Sequence, residues 1–194
     1  MFRKSIAIAE TFTFPVVLSR KTIGGECSSA ISTFVMVNSD GWFVTAGHVL
    51  RHWRKLQEGV EQTKKLRADL AAINADTQLS GSQRKKKINQ VPRAKHDDTE
   101  RCSAWWSKDE AKLLDYYFID LLQPDGTETM DIGAGRLENF QKLDTYPTFK
   151  DPSKNFQVGT SLCKLGFPFH AIKPTWDEDR ESFMLRRAPT NHRT

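Results

Sequence analysis

The sequence has few cysteines, no long apolar run and no strong excess of either charge, and each shortage argues against a class of protein. Cys27, Cys102 and Cys163 are an odd set without Cys-x-x-Cys spacing. Neither a disulfide framework nor a thiolate zinc site is indicated, and reduced thiols in a cytoplasmic setting are expected. No window approaches the ~18 consecutive apolar residues of a membrane-spanning helix, so no membrane association is expected. At the N-terminus, Arg3 and Lys4 precede a stretch interrupted by Glu10 and Pro15, with no small-x-small cleavage pattern. A secretory leader is therefore not expected. The net charge of +5, from 29 basic and 24 acidic residues, is too small for a nucleic-acid footprint spread over the whole chain. What remains is a soluble globular composition, 38% hydrophobic and 27% charged. The length of 194 residues suits one ordinary domain or two small barrels.

Residues 12–18 read as a short strand, placed at a sheet edge because Pro15 has no N–H for a ladder. Ile31 to Val37 and Trp42 to Thr45 flank Ser39-Asp40-Gly41, whose Asp-Gly pair is the chemistry of a tight hairpin turn. From Val49 to about Asp76 the period changes. Val49, Leu50, Trp53, Leu56, Val60, Leu66, Leu70 and Ile73 recur three or four apart among charged residues, which predicts a helix. Gly59 and Gly81 are candidate breaks. Residues 77–101 hold Arg84-Lys85-Lys86-Lys87, Pro92, Arg93 and Lys95, and read as a solvated excursion. Strand signals return at Ala104-Trp105-Trp106, Leu113 to Leu122, Asp131 to Leu137, Val158 to Leu165 and Phe183 to Arg187. Residues 147–155, with Pro147 and Pro152, read as a connector. The expected class is mainly β with an α-helical insertion at about 50–100, as a barrel or sandwich.

The chemistry concentrates at Thr45-Ala46-Gly47-His48-Val49. An apolar strand ends in two small residues, and His48 stands where the chain turns into a helix. Close backbone packing at Ala46 and Gly47 would hold the imidazole in one orientation, as a general base requires. By itself a histidine at a strand end is more often structural.

This segment, preceded by an Asp-Gly turn and an apolar strand, resembles the histidine motif of trypsin-like (chymotrypsin-fold, bacterial and HtrA-like) serine peptidases. The resemblance implies a double β-barrel, with residues 12–145 as the N-terminal barrel and 156–194 as the start of an incomplete C-terminal barrel. It implies peptide-bond hydrolysis, His48 as general base, a protein or peptide substrate, and no metal or organic cofactor. A triad then needs an aspartate to orient the ring. Asp131 opens Asp-Ile-Gly-Ala-Gly-Arg-Leu-Glu138, similar to the family's aspartate strand, and is preferred. Asp120, within Ile119-Asp120-Leu121-Leu122, is the alternative. The long separation between His48 and Asp131 is accommodated by the insertion, since loop-closure entropy grows only logarithmically with length. Val158 to Phe169, ending in Gly166-Phe167-Pro168, is similar to the strand and turn that open the family's second barrel.

The family's Gly-x-Ser-Gly-Gly nucleophile segment does not occur. Ser153, Ser161 and Ser182 lack flanking glycines, and Cys163 reads as a small buried hydrophobe. The nucleophile implied by the resemblance would be a serine beyond residue 194, and these 194 residues on their own are expected to lack peptidase activity. A fragment, a degenerate pseudoprotease and a chain completed by a partner are all compatible with that. The alternative function is a protein-interaction module that docks a partner through the helical insertion. The basic run at 84–95 lacks interleaved aromatics for base stacking, so nucleic acid is not expected as a partner. Trp105-Trp106 and Tyr116-Tyr117-Phe118 read as core and cross-strand pairs.

Overall fold

A computed structural model describes residues 3–91, 98–107, 111–119, 130–149, 151, 153 and 172–187. Among them strand exceeds helix, 41% against 33%, so the fold is mainly β. The elements run α1 (Arg3–Glu10), β1 (Thr13–Thr22), β2 (Cys27–Met36), β3 (Trp42–Ala46), α2 (Gly47–Ala75), α3 (Gly81–Gln90), β4 (Thr99–Trp106), β5 (Lys112–Ile119), β6 (Ile132–Glu138), β7 (Ile172–Asp177) and β8 (Ser182–Arg187).

Six strands form one antiparallel sheet in the order β4-β1-β2-β3-β6-β5, curled into a half-barrel. The first four positions read 4-1-2-3, the spatial order of a Greek key. Its long return connection, between β3 and β4, is where α2 and α3 are inserted. At the two ends of the strand order, β4 and β5 meet at one bridge, Trp106 to Ala111. A separate hairpin pairs β7 with β8.

The chain divides into two compact units. One comprises Met1–Val17, Ala30–Arg51 and Ala104–His170; the other comprises Leu18–Ser29, His52–Ser103 and Ala171–Thr194. In the first, Val16, Val17, Phe34, Met36, Phe43, Leu50, Trp106 and Leu137 form a buried core. Phe34, Phe43 and Trp106 meet edge-on or tilted with ring centroids 4.9–5.4 Å apart, the offset geometry aromatic quadrupoles favour. In the second, Lys21 is ion-paired to Glu178 and Glu100, and Arg67 to Glu100.

The β2–β3 hairpin follows its turn chemistry. Gly41 has φ +86°, and Asn38 Oδ1 accepts the N–H groups of Asp40 and Trp42. The predicted helix is α2, and its apolar positions are buried or half-buried. Gly59 does not break it: it is buried on the inward face, at a propensity cost of about 1 kcal/mol relative to alanine.

Three expectations are corrected. Pro15 does not mark an edge strand, because β1 lies between β4 and β2. Its carbonyl accepts from the Ser107 N–H, one residue past the end of β4, so the missing amide costs only a terminal rung. The basic run is not a loop: Arg84 to Lys87 lie on α3. Ser80 and Gln83 cap that helix reciprocally in a capping box, and the Lys, Arg and Gln that fill it are good helix formers. Finally, β4 starts at Thr99, five residues before the strand signal at Ala104. Arg93, Lys95, Asp120 and Val158 to Phe169 lie outside the described residues.

Candidate active site

The sheet register brings His48 and Asp131 together across 83 residues of sequence. Ala46, the last residue of β3, pairs with Ile132, the first of β6. One step further on each strand puts Gly47 across from Asp131. There β3 turns into α2, and the first amides of a helix have no partner of their own. Asp131 takes two of them: its carbonyl accepts from Gly47 N–H at 3.0 Å, and its Oδ1 accepts from His48 N–H at 2.7 Å. A carboxylate at this position also meets the positive end of the helix dipole.

Missing side chains make the approach possible. A Cβ on Gly47 would lie 2.8 Å from Asp131 Oδ1. A Cβ on Gly133 would lie 2.5 Å from Leu50 Cδ1, so Gly133 lets the first turn of α2 settle onto β6. Thr45, the first residue of the motif, is buried and donates from its hydroxyl to the Thr33 carbonyl at 2.7 Å, tying β3 to β2.

The second carboxylate oxygen, Oδ2, lies 2.5 Å from His48 Nδ1. The hydrogen bonds from the His48 ring and amide, with the charges of His48 and Arg51, hold the Asp131 carboxyl below the ordinary aspartate value of 3.8. An ionised carboxylate only accepts. The shared proton is therefore assigned to Nδ1, which leaves the Nε2 lone pair of the neutral ring as a base. The His48 side chain is 69% exposed and that of Asp131 45% exposed, so the pair is open to a substrate and also to water.

Arg51, one turn along α2, completes the cluster. Its Nη2 donates to Asp131 Oδ1, and its guanidinium carbon lies 5.5 Å from the centroid of Phe118 on β5. Sequence reading missed this residue. The available signal was its spacing of three from His48 on a helix, which puts both on one face.

Of the residues weighed as nucleophiles, Ser161 and Cys163 lie outside the described residues. Ser153 donates its hydroxyl to Asp151 at 2.7 Å, and Ser182 pairs with Asp177 in the β7–β8 hairpin. Along α2, Leu56 and Thr63 are buried and Val60, Leu66, Leu70 and Ile73 half-buried, while the intervening charged residues are mostly exposed. Most of its apolar stripe is therefore turned away from solvent. No helix among the described residues is long and apolar enough to cross a membrane. Comparison with protein-family models, curated proteins and solved structures found no match for this chain.

Proposed function

We propose that this chain carries the base half of a trypsin-like serine peptidase site. In this reading His48 takes the proton of an attacking serine hydroxyl and later returns it to the leaving amine. Asp131 holds the ring in the Nδ1–H tautomer and stabilises the imidazolium. The observation that carries the reading is the double grip of one carboxylate on one residue, with Oδ1 on the main-chain N–H of His48 and Oδ2 on its ring. That grip fixes the direction in which Nε2 points, which a general base needs more than any particular proton affinity.

The Greek-key half-barrel is the support at the level of fold. His48 stands in the first turn of α2, directly after β3, and Asp131 immediately precedes β6, the next strand in the sheet, so each is anchored by a sheet strand beside it. The proposal includes the double-barrel architecture, with the described sheet as its first barrel.

Hydrolysis of a fluorescent casein by the full gene product, with any segment that follows residue 194, tests the function. The expected result is turnover that falls to background in His48→Ala. Turnover that is absent from the folded full product, or that survives His48→Ala, would overturn the reading.

A further inference from the structure

The carboxylate of an orienting aspartate is usually shielded, and Asp131 is not. With 45% of its side chain exposed, water competes for both of its oxygens, and a carboxylate free to rotate about χ2 would present Nδ1 with a changing partner. Something other than burial has to hold it. The His48 amide secures Oδ1 from one side. Arg51 Nη2 reaches the same oxygen, in the space left by the missing Cβ of Gly47, where such a Cβ would lie 3.2 Å from Nη2 and 3.3 Å from Nη1. The guanidinium is in turn set over the Phe118 ring, on a strand hydrogen-bonded to β6. Phe118, Arg51, Asp131 and His48 thus form a connected chain of contacts.

We propose that Arg51 is the positioning residue of the pair, occupying Oδ1 so that Oδ2 alone faces His48 Nδ1 and the ring keeps Nε2 free. The guanidinium suits this task. It is planar, its donors are fixed in direction, and it stacks on an aromatic face, none of which a lysine ammonium reproduces. The positive charge also favours the ionised carboxylate, which has to accept rather than donate. This inference deepens the reading of the same site as a peptidase base. Its readout is a property of the histidine ring, so its failure and the failure of the peptidase reading are separate results.

The test is the tautomer of His48, read from long-range proton–nitrogen correlation spectra of the full chain labelled with ¹⁵N-histidine, at a pH where the ring is neutral. The five histidines are distinguished by loss of one signal set in His48→Ala. In the native chain the Nδ1–H form should dominate, and Asp131→Asn should abolish that preference. Arg51→Met keeps an apolar stem and removes the donors. It should move the ratio toward the Nε2–H form by about two- to fivefold, the range that partly exposed ion pairs command. Arg51→Lys, which keeps charge without the fork, should fall between the two, and Phe118→Leu should shift the ratio in the same direction by less. An unchanged ratio in Arg51→Met with a native amide spectrum would overturn the proposal. Should that variant lose its native spectrum, Arg51→Lys decides alone: a shifted ratio supports positioning and an unchanged one refutes it.

Discussion

Two carboxylates in this protein, Asp131 in one compact unit and Glu178 in the other, are both held below their ordinary values by hydrogen bonds from neighbouring side chains. They differ in what those neighbours leave available. Glu178 accepts from Lys21 Nζ at 2.5 Å and from Trp176 Nε1 at 2.9 Å. Lys21 also lies 3.8 Å from Glu100, which Arg67 approaches at 2.6 Å. Ammonium, indole N–H and guanidinium are donors only, so this cluster ends in satisfied charges and has no group left to move a proton. Asp131 is held by a guanidinium, a main-chain amide and an imidazole. Only the imidazole, when neutral, has a second nitrogen with a lone pair that can accept a proton. A lowered carboxyl pKa therefore reports charged company, not function. What separates the two sites is whether one partner keeps a lone pair.

The sharpest way to break this comparison is the same isosteric change at both carboxylates. In the full gene product, Asp131→Asn should lower casein hydrolysis by about 10⁴-fold, because the ring loses its enforced tautomer. Glu178→Gln should leave the rate unchanged. Equal effects from the two changes would remove the distinction. Gly47→Ala is the next largest effect. Its Cβ crowds Asp131 Oδ1 and the Arg51 guanidinium without removing either charge, and a misplacement of this kind should cost about 10²-fold in turnover. A far-ultraviolet spectrum and unfolding midpoint close to those of the native chain would confine that loss to geometry.

How much of this was legible in the sequence depended on distance along the chain. The β2–β3 turn is written locally in Asp40-Gly41, and the length of α2 in the three-to-four spacing from Val49 to Ile73. The motif ending in His48 is equally local. Asp131 was legible through its strand, although its pairing depends on a sheet register that no local pattern states. Asp120 lies outside the described residues, so geometry speaks for Asp131 alone. Pro15 misled because a single missing amide does not say which neighbours a strand has. The run Arg84 to Lys87 misled because polarity suits a solvated loop and a solvated helix equally. The discriminating signal, Ser80 three residues before Gln83, was present. Arg51 looked like one more exposed charge, because its role exists only once Asp131 arrives from the far side of the insertion.

Smaller effects should appear in stability. The folded-state value of Asp131 lies below its ordinary 3.8, so its ionised form contributes stability above that pH, and the contribution disappears as pH falls through the lowered value. The difference in urea-unfolding stability between the native chain and Asp131→Asn should shrink as pH falls from about 4 through the lowered value. Glu178→Gln should show the same sign from its ordinary 4.5 downward, with a smaller amplitude because that side chain is more open to solvent. A difference that grew as pH fell below about 4 would contradict both assignments. The smallest effect is expected from Lys21→Met. It removes one cation from the second cluster while Glu100 keeps Arg67, so the unfolding midpoint should fall only slightly and hydrolysis should not change.

The central claim is that His48 serves as the base for a serine nucleophile, and labelling by a fluorophosphonate followed by peptide mapping tests it most directly. In the full gene product one labelled serine is expected, with labelling lost in His48→Ala and strongly slowed in Asp131→Asn. No labelled serine in the folded product, or labelling indifferent to His48, would contradict it.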